Sequence, residues 1–156
     1  MENIEPRIKI LYVDDEENNL NSFKAAFRRE YDVTVALSAS EALELLKSSH
    51  FEIIITDQRM PGMTGVEFLA SIVKDYPEPI RMLLTGYADI QAVIDAINKG
   101  QIYQYITKPW DEQQMRVIIN NAYEIFSLRQ ENKELMRSLI RANEQLEFLL
   151  RQKLLS

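Results

Sequence analysis

The chain has 156 residues, 46% of them hydrophobic, and a formal net charge of −6; that length fits one domain whose core needs no cross-links. It has no cysteine and one histidine, His50, which excludes disulfides, cysteine nucleophiles and any two-histidine metal site. Four glycines, with neither GxGxxG nor GxxxxGK[ST], exclude a glycine-rich phosphate loop, and the acidic balance argues against direct nucleic-acid binding.

Taken in order, IKILYV (8–13) is a short apolar run that ends at Asp14 and Asp15 and reads as a buried strand. Leu20, Phe23, Ala26 and Phe27 then recur at helical spacing between Glu16 and Arg29. VTVAL (33–37) is a second strand, and a helix follows to Lys47 with Ser40 as its expected N-cap. EIIIT (52–56) is a third strand, apolar on both faces, that runs into Asp57. MPGM (60–63) marks a turn, and Val66 to Asp75 reads as a helix stopped before Pro77. IRMLLT (80–85) is a fourth strand, Ala88 to Lys99 a helix with Gly100 as its C-cap, and IYQYIT (102–107) a fifth strand closed by Lys108 and Pro109. A last helix starts near Asp111.

Strands alternating with helices predict an α/β fold, a doubly wound parallel sheet with both faces covered. Ligands of such sheets bind beyond the carboxyl ends of the strands, at a switch in strand order. Those ends carry Asp14, Asp15, Asp57, Thr85 and Lys108. Each has an ordinary reading alone, as a helix cap, a turn residue or solvated surface. Together, three carboxylates repel unless a cation intervenes. Mg²⁺ suits oxygen ligands and leaves room for phosphate oxygens. An aspartate can accept a phosphoryl group as a nucleophile, a lysine can neutralise it as a point cation, and a threonine hydroxyl can donate to it. The set reads as Mg²⁺-assisted phosphorylation of an aspartate.

These residues stand in VDDE (13–16), DQRMPGMTGVEFL (57–69), LLTGYAD (83–89) and YITKPW (105–110). In that order and spacing the chain resembles the receiver domain of two-component response regulators over roughly 7–125. The resemblance implies a flavodoxin-like strand order 2-1-3-4-5, Asp57 as phosphoacceptor and metal ligand, Asp15 as a direct ligand, Asp14 through a metal-bound water, and the backbone carbonyl of Arg59 as a further ligand. It implies that Lys108 contacts the phosphoryl group, that Thr85 and Tyr105 move together as the switch, and that Lys108–Pro109 is cis. Gln58, Arg59 and Tyr87 flank the site where the family tunes phosphoryl lifetime. The implied partner is a sensor histidine kinase or phosphotransfer protein, and the implied chemistry is confined to the chain's own phosphorylation and dephosphorylation.

The chain continues beyond such a domain (1–125) without Pro or Gly, so residues 111–156 are expected as one extended helix. Heptads fit it, with Ile118, Ile125, Asn132, Leu139, Leu146 and Lys153 at a, and Asn121, Leu128, Leu135, Ala142 and Leu149 at d. Asn132 at a favours a two-stranded parallel coiled coil, hence a homodimer. Residues 111–156 carry seven acids and seven bases, so the net charge sits on the body, and mixed signs argue against a basic nucleic-acid helix. The extension is too short for a DNA-binding or catalytic output domain. No apolar run reaches the ~18 residues of a membrane span, and the first ten residues lack a signal-peptide pattern, so a cytoplasmic protein is expected.

Three other readings compete. An aspartate-nucleophile phosphohydrolase needs a second aspartate two residues after the first, where Arg59 stands. A flavin or nucleotide module needs a Gly, Ser or Thr loop where the chain has DDEENN. A pseudo-receiver would be a scaffold that signals through its tail alone.

Overall fold

The computed structural model describes residues 6–156; residues 1–5, on which the signal-peptide reading partly rests, lie outside them. Five strands, β1 (Lys9–Val13), β2 (Asp32–Ala36), β3 (Ile53–Asp57), β4 (Ile80–Thr85) and β5 (Gln104–Thr107), alternate with α1 (Glu17–Phe27), α2 (Ala39–Ser48), α3 (Gly65–Ile72), α4 (Ile90–Asn98) and α5 (Glu112–Leu155). All pairings are parallel, in the order β2-β1-β3-β4-β5. The order reverses between β1 and β3, so Asp14 and Asp57 emerge side by side at the switch point.

Alternation along the strands sorts the core into two layers. Ile10, Tyr12, Ile53, Ile55, Met82 and Leu84 point towards α1 and α5, with Phe23, Phe27, Met115, Ile119 and Phe126. Leu11, Val13, Ile54 and Leu83 point the other way, towards Ala42, Leu46, Phe68, Leu69 and Val93. Every residue of β3 and β4 is buried, as strands covered on both faces require.

Several boundaries differ from the expected ones. Ser38, not Ser40, caps α2: its hydroxyl accepts from Glu41 N at 3.1 Å while Glu41 Oε2 accepts from Leu37 N at 3.1 Å. The S-x-x-E capping box at 38–41 outcompetes Ser40, which already lies inside the helix. At α3 the Thr64 hydroxyl likewise accepts from Glu67 N at 3.1 Å, but it donates to Glu67 Oε1 itself, at 3.1 Å. The fourth helical segment begins as a single 3-10 turn, Tyr87–Asp89, before α4, and its C-cap is Lys99; Gly100 follows at φ 74°. The fifth strand starts at Gln104 because the loop before it is held by Arg81, whose guanidinium donates to the carbonyls of Gln101, Pro77, Pro79 and Gly100.

The extension is one helix of 44 residues, about 66 Å long at 1.5 Å per residue. Met115, Ile119, Ala122 and Phe126 pack into the body. Phe126 is a core residue, so the body reaches past residue 125. Ile118 and Ile125, expected in the heptad seam, pack partly against the same core; the wholly exposed part of the seam starts at Leu128. Just below the body, Arg129 lies over the Tyr103 ring at 5.8 Å and Lys133 Nζ lies 3.6 Å from Glu78 Oε1.

Gly65 begins α3 directly beneath β3. A Cβ there would fall on the Asp57 carbonyl oxygen and 2.6 Å from Leu83 Cδ1. Both neighbours are locked in the core, so Gly65→Ala should lower stability by about 1–3 kcal/mol through overpacking, read as an earlier urea midpoint.

Candidate functional site

The ends of β1, β3, β4 and β5 meet at one edge. Chain geometry places Asp14 first: its amide donates to Ala36 O at 3.1 Å, continuing the β1–β2 ladder one residue past the strand. Its fully buried carboxylate accepts three bonds, from Tyr12 Oη at 3.2 Å, Glu16 N at 3.0 Å and Asn19 Nδ2 at 3.1 Å. Tyr12 stacks on Phe23, rings 4.2 Å apart, which fixes the phenol under Asp14. Asp15 is exposed beside it.

Asp57 is the last residue of β3 and only 5% exposed. The buried Gln58 fixes the loop that follows: its amide donates to Leu84 O at 3.0 Å, its carbonyl accepts from Gly65 N at 2.9 Å, and its Oε1 accepts from Val66 N at 2.9 Å. Sequence reading placed Gln58 beside the site but missed this role, which depends on a contact eight residues away. Asp14, Asp15 and Asp57 each offer a carboxylate oxygen, all within 4.8 Å of one another.

One cation answers them. Lys108 Nζ forms an ion pair with Asp57 Oδ1, and that buried oxygen has no other partner among the described residues. Lys108 is held by its own amide, which donates to Thr85 O at 3.0 Å, and the Lys108–Pro109 peptide is cis. Thr85 is buried at the end of β4, its hydroxyl donating to Gly86 O at 3.1 Å rather than to a carboxylate. Tyr105 lies half-buried against the core layer of α2, α3 and α4. A cleft of about 320 Å³ opens above Asp57, lined by Arg59, Thr85, Tyr87, Asp89 and Lys108 among others. The structure therefore brings Asp14, Asp15, Asp57, Thr85 and Lys108 together. Tyr105 sits on the neighbouring strand opposite Leu83, and the eight heptad positions from 125 to 149 lie away from the site on α5.

Burial pushes the Asp57 carboxyl above the ordinary carboxylate range; Lys108 opposes the shift, and Asp14 adds to it by like-charge repulsion. Burial, reinforced by Asp14, likewise holds the Tyr12 phenol well above its usual value. The donor set suits a hard divalent cation: all oxygen, from three carboxylates, one of which has a buried oxygen faced only by an ammonium among the described residues. Mg²⁺ fits these residues.

The response regulator receiver domain profile matches residues 10–120. This chain belongs to that family. Its receiver is 35% identical over 124 residues to the hydrogenase transcriptional regulatory protein HoxA of Bradyrhizobium diazoefficiens, a match spanning 80% of this chain and 26% of that protein. The chain thus spans about a quarter of the length of the curated relatives it matches. Among solved structures, the signal receiver domain of an HD domain-containing protein from Pseudomonas fluorescens superposes with a TM-score of 0.76 at 34% identity, covering 84% of this chain and 97% of that one. A structure titled adenylate cyclase from Rhodopirellula baltica superposes at 0.81 with 32% identity, covering 84% and 98%. The five-stranded order 2-1-3-4-5 is the fold of this family's solved receivers.

The raised Asp57 carboxyl makes a signed prediction. A carboxyl whose folded pKa exceeds its unfolded value binds more protons when folded, so it costs stability as pH rises from the ordinary carboxylate range through the folded pKa. Asp57→Asn should therefore raise the urea midpoint of the metal-free receiver at neutral pH, and the advantage should shrink as pH falls into the ordinary carboxylate range.

Proposed function

We propose that this receiver is a phosphorylation switch in which Asp57 accepts a phosphoryl group from a sensor histidine kinase or phosphotransfer protein. The observation that carries it is the buried Asp57 oxygen, paired only with Lys108, inside a cluster of three carboxylates below an open cleft. An Asp57 oxygen attacks phosphorus; the bond from phosphorus to the donor's nitrogen, or to acetate in acetyl phosphate, breaks, and the leaving group takes the electron pair. Asp15, Asp57 and the Arg59 carbonyl would hold Mg²⁺, with Asp14 reaching it through water, because its carboxylate already accepts three donors. When bound, the ion supplies positive charge that relieves carboxylate repulsion and receives phosphoryl oxygens. Lys108 neutralises part of the added charge, about −1.5 to −2. Thr85 exchanges Gly86 O for a phosphoryl oxygen, and Tyr105 follows into the space it leaves. No separate substrate is turned over: the chemistry is gain and loss of one group on the chain's own aspartate.

The tail is the outlet. Leu128, Leu135, Leu139, Leu146 and Leu149 are each more than half exposed. At about 100° per residue their stripe lies roughly 180° from the Met115–Phe126 stripe that faces the body. A second copy can therefore pack on it without meeting its own receiver, with Asn132 paired across a parallel dimer. Output, transcriptional in HoxA by its name, would pass along this helix. Among the described residues no helix is long and apolar enough to cross a membrane, and the reading places the protein in the cytoplasm, where its kinase partner would deliver the phosphoryl group.

Incubation with Mg²⁺ and acetyl phosphate should add one phosphoryl group by intact mass. The adduct should be absent without Mg²⁺ and in Asp57→Asn; an adduct surviving in that variant would refute the assignment. Light scattering should find a dimer of the full chain without phosphate. Leu139→Lys should shift it to monomer while the circular dichroism of the sheet persists; a wild-type monomer would sink the coiled coil.

A further inference from the structure

The side chains of Arg59 and Asp89 have no role in the switch described above, yet they meet at the mouth of its cleft. Arg59 Nε donates to Asp89 Oδ2 at 2.9 Å, joining the β3–α3 loop to the Tyr87–Asp89 turn. Both line the cleft with Asp57, Thr85 and Lys108. Asp89 is also the residue before α4. Ser38, Thr64 and Asp111 stand at the same place before α2, α3 and α5, and each accepts from the amide three residues on. Asp89 makes no such bond; its carboxylate is engaged by Arg59.

We propose that the Arg59 guanidinium is the second cation for the phosphoryl group on Asp57, and that Asp89 is the positioning residue that holds it at the cleft mouth until that group arrives. The proposal rests on the phosphoacceptor reading of Asp57. The Arg59 side chain is 74% exposed, so its pair with Asp89 is screened and weak. A phosphoryl group brings nearly two charges and three acceptor oxygens, and a guanidinium fork matches them with paired hydrogen bonds. Inside the cleft that interaction outbids a single carboxylate at the rim. The added charge also repels Asp89 directly. The group thus interacts differently with the two arrangements, as any shift of the equilibrium requires. When Arg59 turns inward, the Tyr87–Asp89 turn loses its tie to the β3–α3 loop, and the start of α4 is freed on the face beside β5.

Hydrogen exchange of the full chain, read by mass spectrometry over residues 86–93, tests the latch, with intact mass taken on the same samples. In the wild type, phosphorylation by acetyl phosphate and Mg²⁺ should speed exchange there roughly threefold or more, the size of losing one weak surface pair. Asp89→Asn and Arg59→Gln should both show the fast exchange before any phosphorylation, and no further change after it. Phosphorylation rates then separate a phosphoryl cation from a structural tie: the rate should rise severalfold in Asp89→Asn, where Arg59 is released early, and fall in Arg59→Gln. Unmodified variants that exchange like the wild type would overturn the latch, as would a mass-verified adduct that leaves 86–93 unchanged. Rates that move in the same direction in both variants would overturn the role of Arg59 as a cation. Absence of any wild-type adduct would instead overturn the phosphoacceptor reading, and the second cation with it, while the unmodified variants still report whether the pair restrains the turn.

Discussion

Three carboxylates whose oxygens crowd within 4.8 Å are held together by one ammonium, that of Lys108 on Asp57. Charge of one sign gathered at a buried sheet edge opposes folding, and the surrounding structure is arranged to contain it. Asp14 is surrounded by donors from Tyr12, Glu16 and Asn19. Asp15 is left in water. Asp57 alone is buried with a single partner, and its carboxyl is raised accordingly. The result is a site with unmet demand for positive charge, built of oxygen donors of the kind a hard divalent cation takes.

The acidic edge is built from strand ends joined to separate helices. Thr85 closes β4, and Lys108 is tied to Thr85 O through its own amide. At the other end of β4, Arg81 gathers the loops around it through four carbonyls. The loop before β5 in turn meets α5 through Tyr103 and Arg129. A contiguous set of packed groups thus runs from the Asp57 edge to the root of the tail.

Most of the fold was legible in the sequence because its strands are buried on both faces and read as unbroken apolar runs such as EIIIT and IRMLLT. The site was legible for a different reason: acids, hydroxyl and lysine stand at strand ends, and topology forces strand ends together. Less was legible where two local signals compete. Ser38 and Ser40 both suit a cap, and the choice fell to Glu41, which completes a box only with Ser38. Heptad spacing included Ile118 and Ile125, but a helix has one surface, and the body covers that part of it first.

The sequence by itself determined the alternation of strands and helices, the residue types at the acidic edge and a long C-terminal helix with its leucine stripe, because propensity, periodicity and spacing are local properties. Only the tertiary structure decided which of those residues touch. The Gln58 amide reaching Leu84 O, Lys108 reaching Asp57, and Arg59 reaching Asp89 thirty residues on are pairings between segments that meet only after the sheet has closed. Their physical basis is the shared burial and charge of a folded edge, which no single stretch of chain contains.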